Sequence, residues 1–249
     1  MTGERCCITV PNPMQAGASD HNAAVFSPAS SGGGGDCHSS PFLVVVVFTS
    51  HGRVFACVYS SQTSVWGEVI STPAPSPCEL CEDSPALVGE ALYWLLDGNR
   101  ILEFKFGSQI LALVERPPET HAIYKWNIRV ARLGDYGLGL AAVKDFSLHL
   151  WVQEVADDGA SKWVLHREIG LDTLLPLPTA PSLEAGRRLV GMTPVWISGL
   201  SEDGNVVFLR TTVGIFLVWL ETMKFKKVSD TLLMKTVYPY ASCYVPDAI

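Results

Sequence analysis

The sequence predicts an all-β protein, namely a partial or small β-propeller of about four to five four-stranded antiparallel blades. Short apolar runs alternate with turn signals along the chain, and no amphipathic helical stripe interrupts them. The middle strands also repeat, because Val54, Ile101 and Leu148 follow one another at intervals of 47 residues. Propeller blades recur roughly every 40–50 residues. A β-sandwich or barrel with evenly spaced hairpins is the alternative, but such folds carry no repeat of this length.

Four units, each containing a hairpin, follow one another along the chain. The runs combine β-branched and aromatic residues with the alternation that a half-buried strand requires. The predicted strands are Phe42–Phe48, Val54–Tyr59 and Val65–Ile70, then Ala91–Leu96, Arg100–Phe106 and Ile110–Glu115, then Leu138–Val143, Ser147–Val155 and Lys162–Ile169, and finally Val195–Ser201, Val206–Arg210, Ile215–Leu220 and Lys224–Ser229, with a last short run at Tyr240–Tyr244.

The residues between the strands are typical of turns. Asp97, Gly98 and Asn99 separate two strands of the second unit, and both Gly98 and Asn99 tolerate the positive φ of a tight hairpin. The first unit ends in Ser71–Pro77, where three prolines oppose further strand pairing. Residues 171–188 form a Pro-rich insertion before the fourth unit. Such an insertion is expected on one face of a propeller, often the binding face.

The first 41 residues are predicted to lie outside the propeller domain, which covers residues 42–249. Arg5–Pro11 could form one strand left from an earlier blade. Residues 12–41 are rich in Gly, Ser, Ala and Pro, a composition typical of a flexible loop that is not a packed element. The ring could close by pairing Tyr240–Tyr244 with Arg5–Val10.

Composition indicates a globular protein whose location is cytoplasmic or nuclear. Of the 249 residues, 48% are hydrophobic and 17% charged, which suffices for a sizeable core. The net charge is −7, whereas a nucleic-acid binder typically carries an excess of basic residues clustered on one surface. The longest apolar runs have strand length, well short of the roughly 20 residues that cross a membrane as a helix. We therefore expect neither a nucleic acid nor a membrane as partner.

The sequence predicts no catalytic, cofactor-binding or metal-binding residue. None of the six histidines lies in a metal-binding or catalytic motif, and His149 is expected to be structural or to lie at a rim. Cys78 and Cys81 form the one CxxC motif, which lacks the second ligand pair of a zinc site and the helix of a redox site. No GxSxG elbow is present to anchor a hydrolase. The seven tryptophans should mostly pack between blades, and no protein-binding residue is assigned.

Six phrases in the second to fourth quarters of the chain resemble the C-terminal F-box-associated region of plant F-box proteins, specifically those of grasses. The phrases occur in the same order as in those proteins, and each falls where the repeat places a blade strand. The resemblance covers roughly residues 42–246. The phrases occupy residues 55–73, 91–106, 138–154, 162–176, 202–230 and 238–246.

The resemblance implies a kelch-like propeller that binds a target protein and is not an enzyme. In that family an N-terminal F-box binds the Skp1-like adaptor of an SCF-type E3 ubiquitin ligase, and the propeller is expected to capture the target. The sequence departs from this pattern, because no F-box precedes the propeller and the leading blades also look absent. The only similar string, Leu171–Pro176, is expected to be a loop because prolines end any helix there.

The departure leaves two functions open. The chain could be the target-recognition region of an SCF-type ligase, with the Skp1-like adaptor and cullin as partners only if an F-box stands upstream. Alternatively it could be a stand-alone or truncated interaction module, or a decoy, without ligase function. No cofactor is expected in either case.

Overall fold

The strands of this computed structural model form four antiparallel sheets, in which consecutive strands of a sheet are also neighbours in space. The structure describes residues 7–10, 20–27, 41–177, 194–230 and 236–239. One sheet has five strands and the other three have four. Such antiparallel sheets in succession are the blades of a β-propeller, and the predicted fold class is therefore confirmed. In the described part of the chain, no helix has the length and apolar character needed to cross a membrane.

Each sheet is built from one continuous stretch of chain. Sheet 1 contains β1 (Asp20–Phe26), β2 (Leu43–Ser50), β3 (Arg53–Ser60), β4 (Val65–Trp66) and β5 (Ile70–Pro73). Sheet 2 contains β6 (Ala86–Val88), β7 (Ala91–Leu96), β8 (Arg100–Lys105) and β9 (Ile110–Glu115). Sheet 3 contains β10 (Ile128–Arg132), β11 (Leu138–Lys144), β12 (Ser147–Val155) and β13 (Ser161–Gly170). Sheet 4 contains β14 (Val195–Leu200), β15 (Val206–Thr211), β16 (Gly214–Trp219) and β17 (Phe225–Ser229).

Helical structure in the described residues is confined to single turns. A four-residue α-helix, α1, follows β13 directly at Leu171–Leu174. Three 3-10 turns lie in the connections at Pro118–Thr120, Lys125–Asn127 and Gly134–Tyr136.

The blade repeat predicted from the sequence is present in the structure. The third strands of the four sheets begin at Arg53, Arg100, Ser147 and Gly214. Each start lies one residue before the matching position of the sequence repeat, which is Val54, Ile101, Leu148 or Ile215. The first three starts are 47 residues apart and the last interval is 67 residues. The insertion before sheet 4 therefore joins the outermost strand of sheet 3 to the first strand of sheet 4.

Apolar clusters fill the spaces between successive sheets. Sheets 1 and 2 share the 1–2 cluster, sheets 2 and 3 the 2–3 cluster, and sheets 3 and 4 the 3–4 cluster. Burying one side chain of this size contributes about 1.5–3 kcal/mol. The largest buried members include Trp94 and Phe104 in the 1–2 cluster, Ile101 and Leu140 in the 2–3 cluster, and Leu148 and Phe216 in the 3–4 cluster.

The first strand of each sheet lies nearest the centre of the molecule. The short strand β10 contacts both β6 and β14, which belong to the sheets on either side of it. Trp163 of β13 donates its indole N–H to the Glu115 carbonyl of β9 at 2.8 Å, so sheets 2 and 3 are also tied at their outer strands. This arrangement brings four first strands together around a common centre.

The prediction that residues 12–41 form no packed element is wrong over Asp20–Phe26. This segment, β1, pairs along its whole length with the valine-rich β2. Ala24 and Phe26 pack against the 1–2 cluster, and the Phe26 and Phe106 rings lie 4.8 Å apart. The partner strand and the cluster stabilise a segment whose own composition shows little strand preference. The proposed division of the chain after residue 41 stays a prediction.

Two further predictions differ from the structure. The strand predicted over Val65–Ile70 is replaced by two short strands, β4 and β5. The Gly67 amide still donates to the Val58 carbonyl, but residues 67–69 form no strand. Leu171–Pro176 is not a plain loop, since the Leu175 amide donates to the Leu171 carbonyl and closes one helical turn before Pro176. Pro176 follows Leu175, so the N–H group that proline lacks is not the donor of this hydrogen bond.

The predicted strands at the two ends of the chain lie mostly outside the described residues. Within Arg5–Pro11, residues 7–10 are described and form no strand. The Thr9 carbonyl nevertheless accepts a hydrogen bond from the Trp66 indole at 2.8 Å. Tyr240–Tyr244, and with it the proposed closure of the ring, lies outside the described residues.

Candidate functional site

A cavity of about 670 Å³ lies where the first strands of the four sheets meet. We call it the central cavity. Its walls come from all four sheets and from one segment near the end of the chain. They comprise Ala23–Phe26, Asp83–Leu87, Leu92, Arg129–Arg132, Ser198–Asp203 and Thr236–Pro239. The volume falls within the roughly 300–1,000 Å³ that is common for ligand sites in proteins.

A chain of polar contacts crosses the wall of the central cavity. Asn22 of β1 donates its side-chain amide to the carbonyls of Cys81 and Asp83, at 3.0 and 2.9 Å. The Asp83 carboxylate pairs with the Arg129 guanidinium of β10 at 3.0 Å. Arg129 in turn donates to the Ile197 carbonyl of β14 at 2.8 Å. These contacts link residues of sheet 1, the segment leading into sheet 2, sheet 3 and sheet 4.

The ion pair at the centre of this chain is almost shielded from water. The side chains of Arg129 and Asp83 are only 7% and 11% exposed. Burial raises the pKa of Asp83, and the positive charge of Arg129 opposes that rise. Burial also lowers the pKa of Arg129, and the Asp83 carboxylate opposes that change. Because each charge compensates the other, the pair leaves no net charge in the cavity wall.

The rim of the central cavity exposes apolar side chains. Val25 is 68% exposed, Leu87 43% and Tyr238 65%. Two carboxylates, those of Glu202 and Asp203, lie on the same rim. A hydrogen bond from the Ser201 hydroxyl lowers the pKa of Asp203, with further bonds from Asn205, so this carboxylate stays charged at neutral pH. Exposed apolar residues beside charged ones are typical of surfaces that bind other proteins.

Near the end of the chain, Thr236–Pro239 closes one side of the central cavity. The Val237 amide donates to the Ser198 carbonyl at 2.6 Å. Gly199, which follows a register shift in β14, permits this approach, because a side chain there would collide with the Val237 carbonyl. The segment is therefore held on the free edge of β14 by the backbone.

The structure separates the two cysteines of the CxxC motif. Leu80 bridges to Leu96, so the motif is extended alongside β7. Cys78 packs against the 1–2 cluster and Cys81 belongs to the 2–3 cluster, on opposite sides of sheet 2. Both are free thiols, and burial raises the pKa of Cys81 to about 12. In the described residues no three His, Cys, Asp or Glu side chains come together as metal ligands.

His149 belongs to sheet 3. It lies on β12 opposite Glu168 of β13, and its Nε2 is 3.5 Å from the Glu168 carboxylate. No tryptophan is among the described residues that line the central cavity. Trp94 is buried within the 1–2 cluster, as predicted for a tryptophan that packs between blades.

Sequence reasoning missed the residues that build the central cavity. Asn22, Asp83 and Arg129 lie in or beside first strands that were not predicted, and they are far apart in the chain. One local signal was available, because Arg129 stands between Ile128 and Val130 in an apolar run. An arginine at such a position is rarely buried unless it is paired.

A known family of proteins matches almost the whole chain. Residues 2–246 match the model described as F-box protein AT5G49610-like, beta-propeller. The chain belongs to this family. The resemblance to plant F-box-associated propellers that the sequence shows is thereby confirmed as far as the family is concerned. No curated protein matches the chain significantly.

Several solved structures are similar to part of this F-box-family propeller. The WD40 domain of SCAP from fission yeast has a TM-score of 0.39 and 12% identity, over 76% of this chain and 42% of that one. A prolyl endopeptidase structure has a TM-score of 0.38 and 12% identity, over 75% and 24%. HIRA(644-1017) has a TM-score of 0.34 and 14% identity, over 86% and 57%. The chain thus spans less than three-fifths of the length of each of these structures.

Proposed function

We propose that this chain is the target-recognition part of an SCF-type E3 ubiquitin ligase receptor. The observation that supports the proposal is the match of residues 2–246 to the propeller of an F-box protein family. In this function the propeller holds a target protein, while a Skp1-like adaptor and a cullin act through an F-box. A cytoplasmic or nuclear location belongs to the same proposal.

The proposed mechanism is recognition without chemistry. The buried ion pair in the wall of the central cavity, Arg129 with Asp83, is already engaged in mutual and backbone contacts. The exposed groups at the rim are apolar side chains, two carboxylates and the Arg132 guanidinium, which suit contact with another protein. We therefore assign ubiquitin transfer to the partners and binding to this chain.

Co-purification from native tissue tests the proposal. The endogenous protein would be captured with an antibody to its C-terminal region, and its partners identified by mass spectrometry. Recovery of a Skp1-like adaptor, a cullin and a target protein is the expected result. A target without the adaptor would instead support a stand-alone module or decoy, and reproducible absence of any target would overturn the binding function.

A further inference from the structure

The innermost strand of sheet 1 has one edge that no other described segment occupies. The strand β1 pairs with β2 along one side only. In the described part of the chain, no backbone hydrogen bond joins its other edge to another segment. Along the strand His21, Ala23 and Val25 are exposed, and Ala23 and Val25 line the central cavity.

The corresponding edges of two other inner strands are covered. On β14 the Ile197 carbonyl accepts from Arg129 and the Ser198 carbonyl accepts from Val237. At the end of β10 the Arg132 carbonyl lies directly against Gly204. The edge of β1 therefore differs from these two, because Asn22 contributes only its side chain to a neighbouring segment.

An open strand edge is a template for an extended peptide. Strand addition gives affinity through main-chain hydrogen bonds and specificity through the pockets that receive alternate side chains. The strand β1 is seven residues long, enough to pair with a short peptide. Val25, Leu87 and Tyr238 offer exposed apolar surface beside it.

The charges at the rim favour a basic residue on that peptide. Glu202 and Asp203 line the cavity as carboxylates, and Arg132 is the one cation among the described lining residues that is not buried. The Arg132 Nε already donates to the Gly134 carbonyl, although at 3.4 Å. A Lys or Arg side chain would therefore meet two carboxylates and one guanidinium at the rim.

We propose that the central cavity binds an extended segment of the target protein, which adds as a strand to the open edge of β1. An apolar side chain of the segment lies among Val25, Leu87 and Tyr238, and a neighbouring Lys or Arg lies beside Glu202 and Asp203. The inference rests on the proposed function, because it names the surface and the chemistry by which the target is recognised.

A peptide selection tests the apolar part of the site. A phage-displayed library of random 12-residue peptides would be selected on the full chain, and enriched peptides measured by fluorescence anisotropy. Peptides with an apolar residue next to Lys or Arg are expected. Val25→Asp should weaken their binding about tenfold or more, a loss usual for a residue at the centre of an interface. The matched control is Val155→Asp, since Val155 is 69% exposed on sheet 3 outside the cavity wall.

Two further measurements test the charge and the strand pairing. Glu202→Lys should weaken binding of the basic peptide, whereas Asp157→Lys, an equal charge change in the β12–β13 turn, should leave it unchanged. Two peptides, each methylated at one of the two alternate sets of amides, should differ in binding. Methylation of the set that faces β1 should abolish binding and methylation of the other set should not, because only every second N–H of an added strand pairs with its neighbour. No enrichment, equal effects of the two Val variants, or full binding of both methylated peptides would each overturn the proposal.

Binding measurements with the co-purified target distinguish failure of this inference from failure of the proposed function. If the co-purified target binds wild type and Val25→Asp equally, the cavity is not its site, while the receptor function stands. If no target binds either protein, the receptor function itself fails. Loss of the target with Val25→Asp and its retention with Val155→Asp is the expected result.

Discussion

Four oxygen atoms surround the guanidinium of Arg129. Three are backbone carbonyls, of Trp126, Ile128 and Ile197, at 3.1, 2.8 and 2.8 Å, and the fourth belongs to the Asp83 carboxylate. A buried charge is tolerated only when such contacts replace the lost water. One side chain of sheet 3 therefore connects the segment before sheet 2 with the first strand of sheet 4.

Removal of this cation should be strongly destabilising. Arg129→Met leaves the Asp83 carboxylate buried without its partner, which typically costs about 3–5 kcal/mol. Urea denaturation at pH 7 measures the change in the free energy of unfolding. The control is Lys162→Met, because Lys162 and Glu154 form a surface pair 3.2 Å apart with side chains 70% and 52% exposed. Such a surface pair contributes about 0–1 kcal/mol, and equal losses in both variants would contradict the prediction.

The same variant should show a characteristic dependence on pH. Burial already raises the pKa of Asp83 in the native protein, and removal of Arg129 takes away the charge that opposes this rise. The folded variant therefore binds a proton at Asp83 more tightly than its unfolded chain does, and lowering the pH favours the folded state. The stability deficit of Arg129→Met relative to wild type should shrink between pH 7 and pH 5. A constant deficit would indicate that the Asp83 charge is not its cause.

The two cysteines of the CxxC motif should differ in reactivity. Only a thiolate is alkylated rapidly, and burial raises the pKa of Cys81 to about 12. Cys81 is 6% exposed, whereas Cys78 is partly exposed. Iodoacetamide at pH 8 should therefore modify Cys78 before Cys81 in the native protein, and both in urea. Peptide mass spectrometry distinguishes the two sites, and a Cys78–Cys81 disulfide would contradict the extended conformation of the motif.

Between elements, the backbones of β14 and Thr236–Pro239 approach each other closely. Gly199 has no side chain, and the Val237 carbonyl occupies the space where a Cβ would lie. Gly199→Ala should therefore displace the segment and lower stability by about 1–3 kcal/mol, the range for overpacking. Faster hydrogen exchange at Val237 would report the displacement. The control is Gly67→Ala, whose Cβ would make only an ordinary contact of 3.5 Å with Val58.

The elements that the sequence predicts well are those with strong local patterns. The strand at Arg100–Lys105 places Leu102 and Phe104 in the 1–2 cluster, with the polar Glu103 between them. It follows a Gly98–Asn99 turn in which both residues have positive φ, 72° and 64°. The first strands of sheets 2 and 3 lack such patterns, since Ala86–Val88 has three residues and Ile128–Arg132 carries two arginines. They form because neighbouring strands and sheets hold them, which is information that no local window contains.

The central cavity was beyond prediction for the same reason. Its polar contacts join Asn22, Asp83 and Arg129 across three separate stretches of the chain, so no motif spacing records them. The repeat period predicts that blades exist and where they begin. It does not predict which side chains of successive blades meet at the centre.

At the scale of the whole molecule, the sheets are stacked in chain order. The 1–2, 2–3 and 3–4 clusters join successive sheets, and among the described residues no apolar cluster joins sheet 4 to sheet 1. Sheets 2 and 3 therefore each contribute residues to two of these clusters, whereas sheets 1 and 4 each contribute to one. Stability in such an array is approximately a sum of the repeats and of the interfaces between neighbours.

This arrangement predicts graded protection from hydrogen exchange. Amides in the central strands of sheets 2 and 3 should exchange more slowly than those in β2, β3, β15 and β16, because opening an outer sheet breaks one cluster and opening an inner sheet breaks two. Native-state exchange followed by mass spectrometry measures each sheet separately. Equal protection of all four sheets would instead show a further interface between sheets 4 and 1. That interface would close the ring, and the edge of β1 would then be less accessible to a peptide than the central cavity suggests.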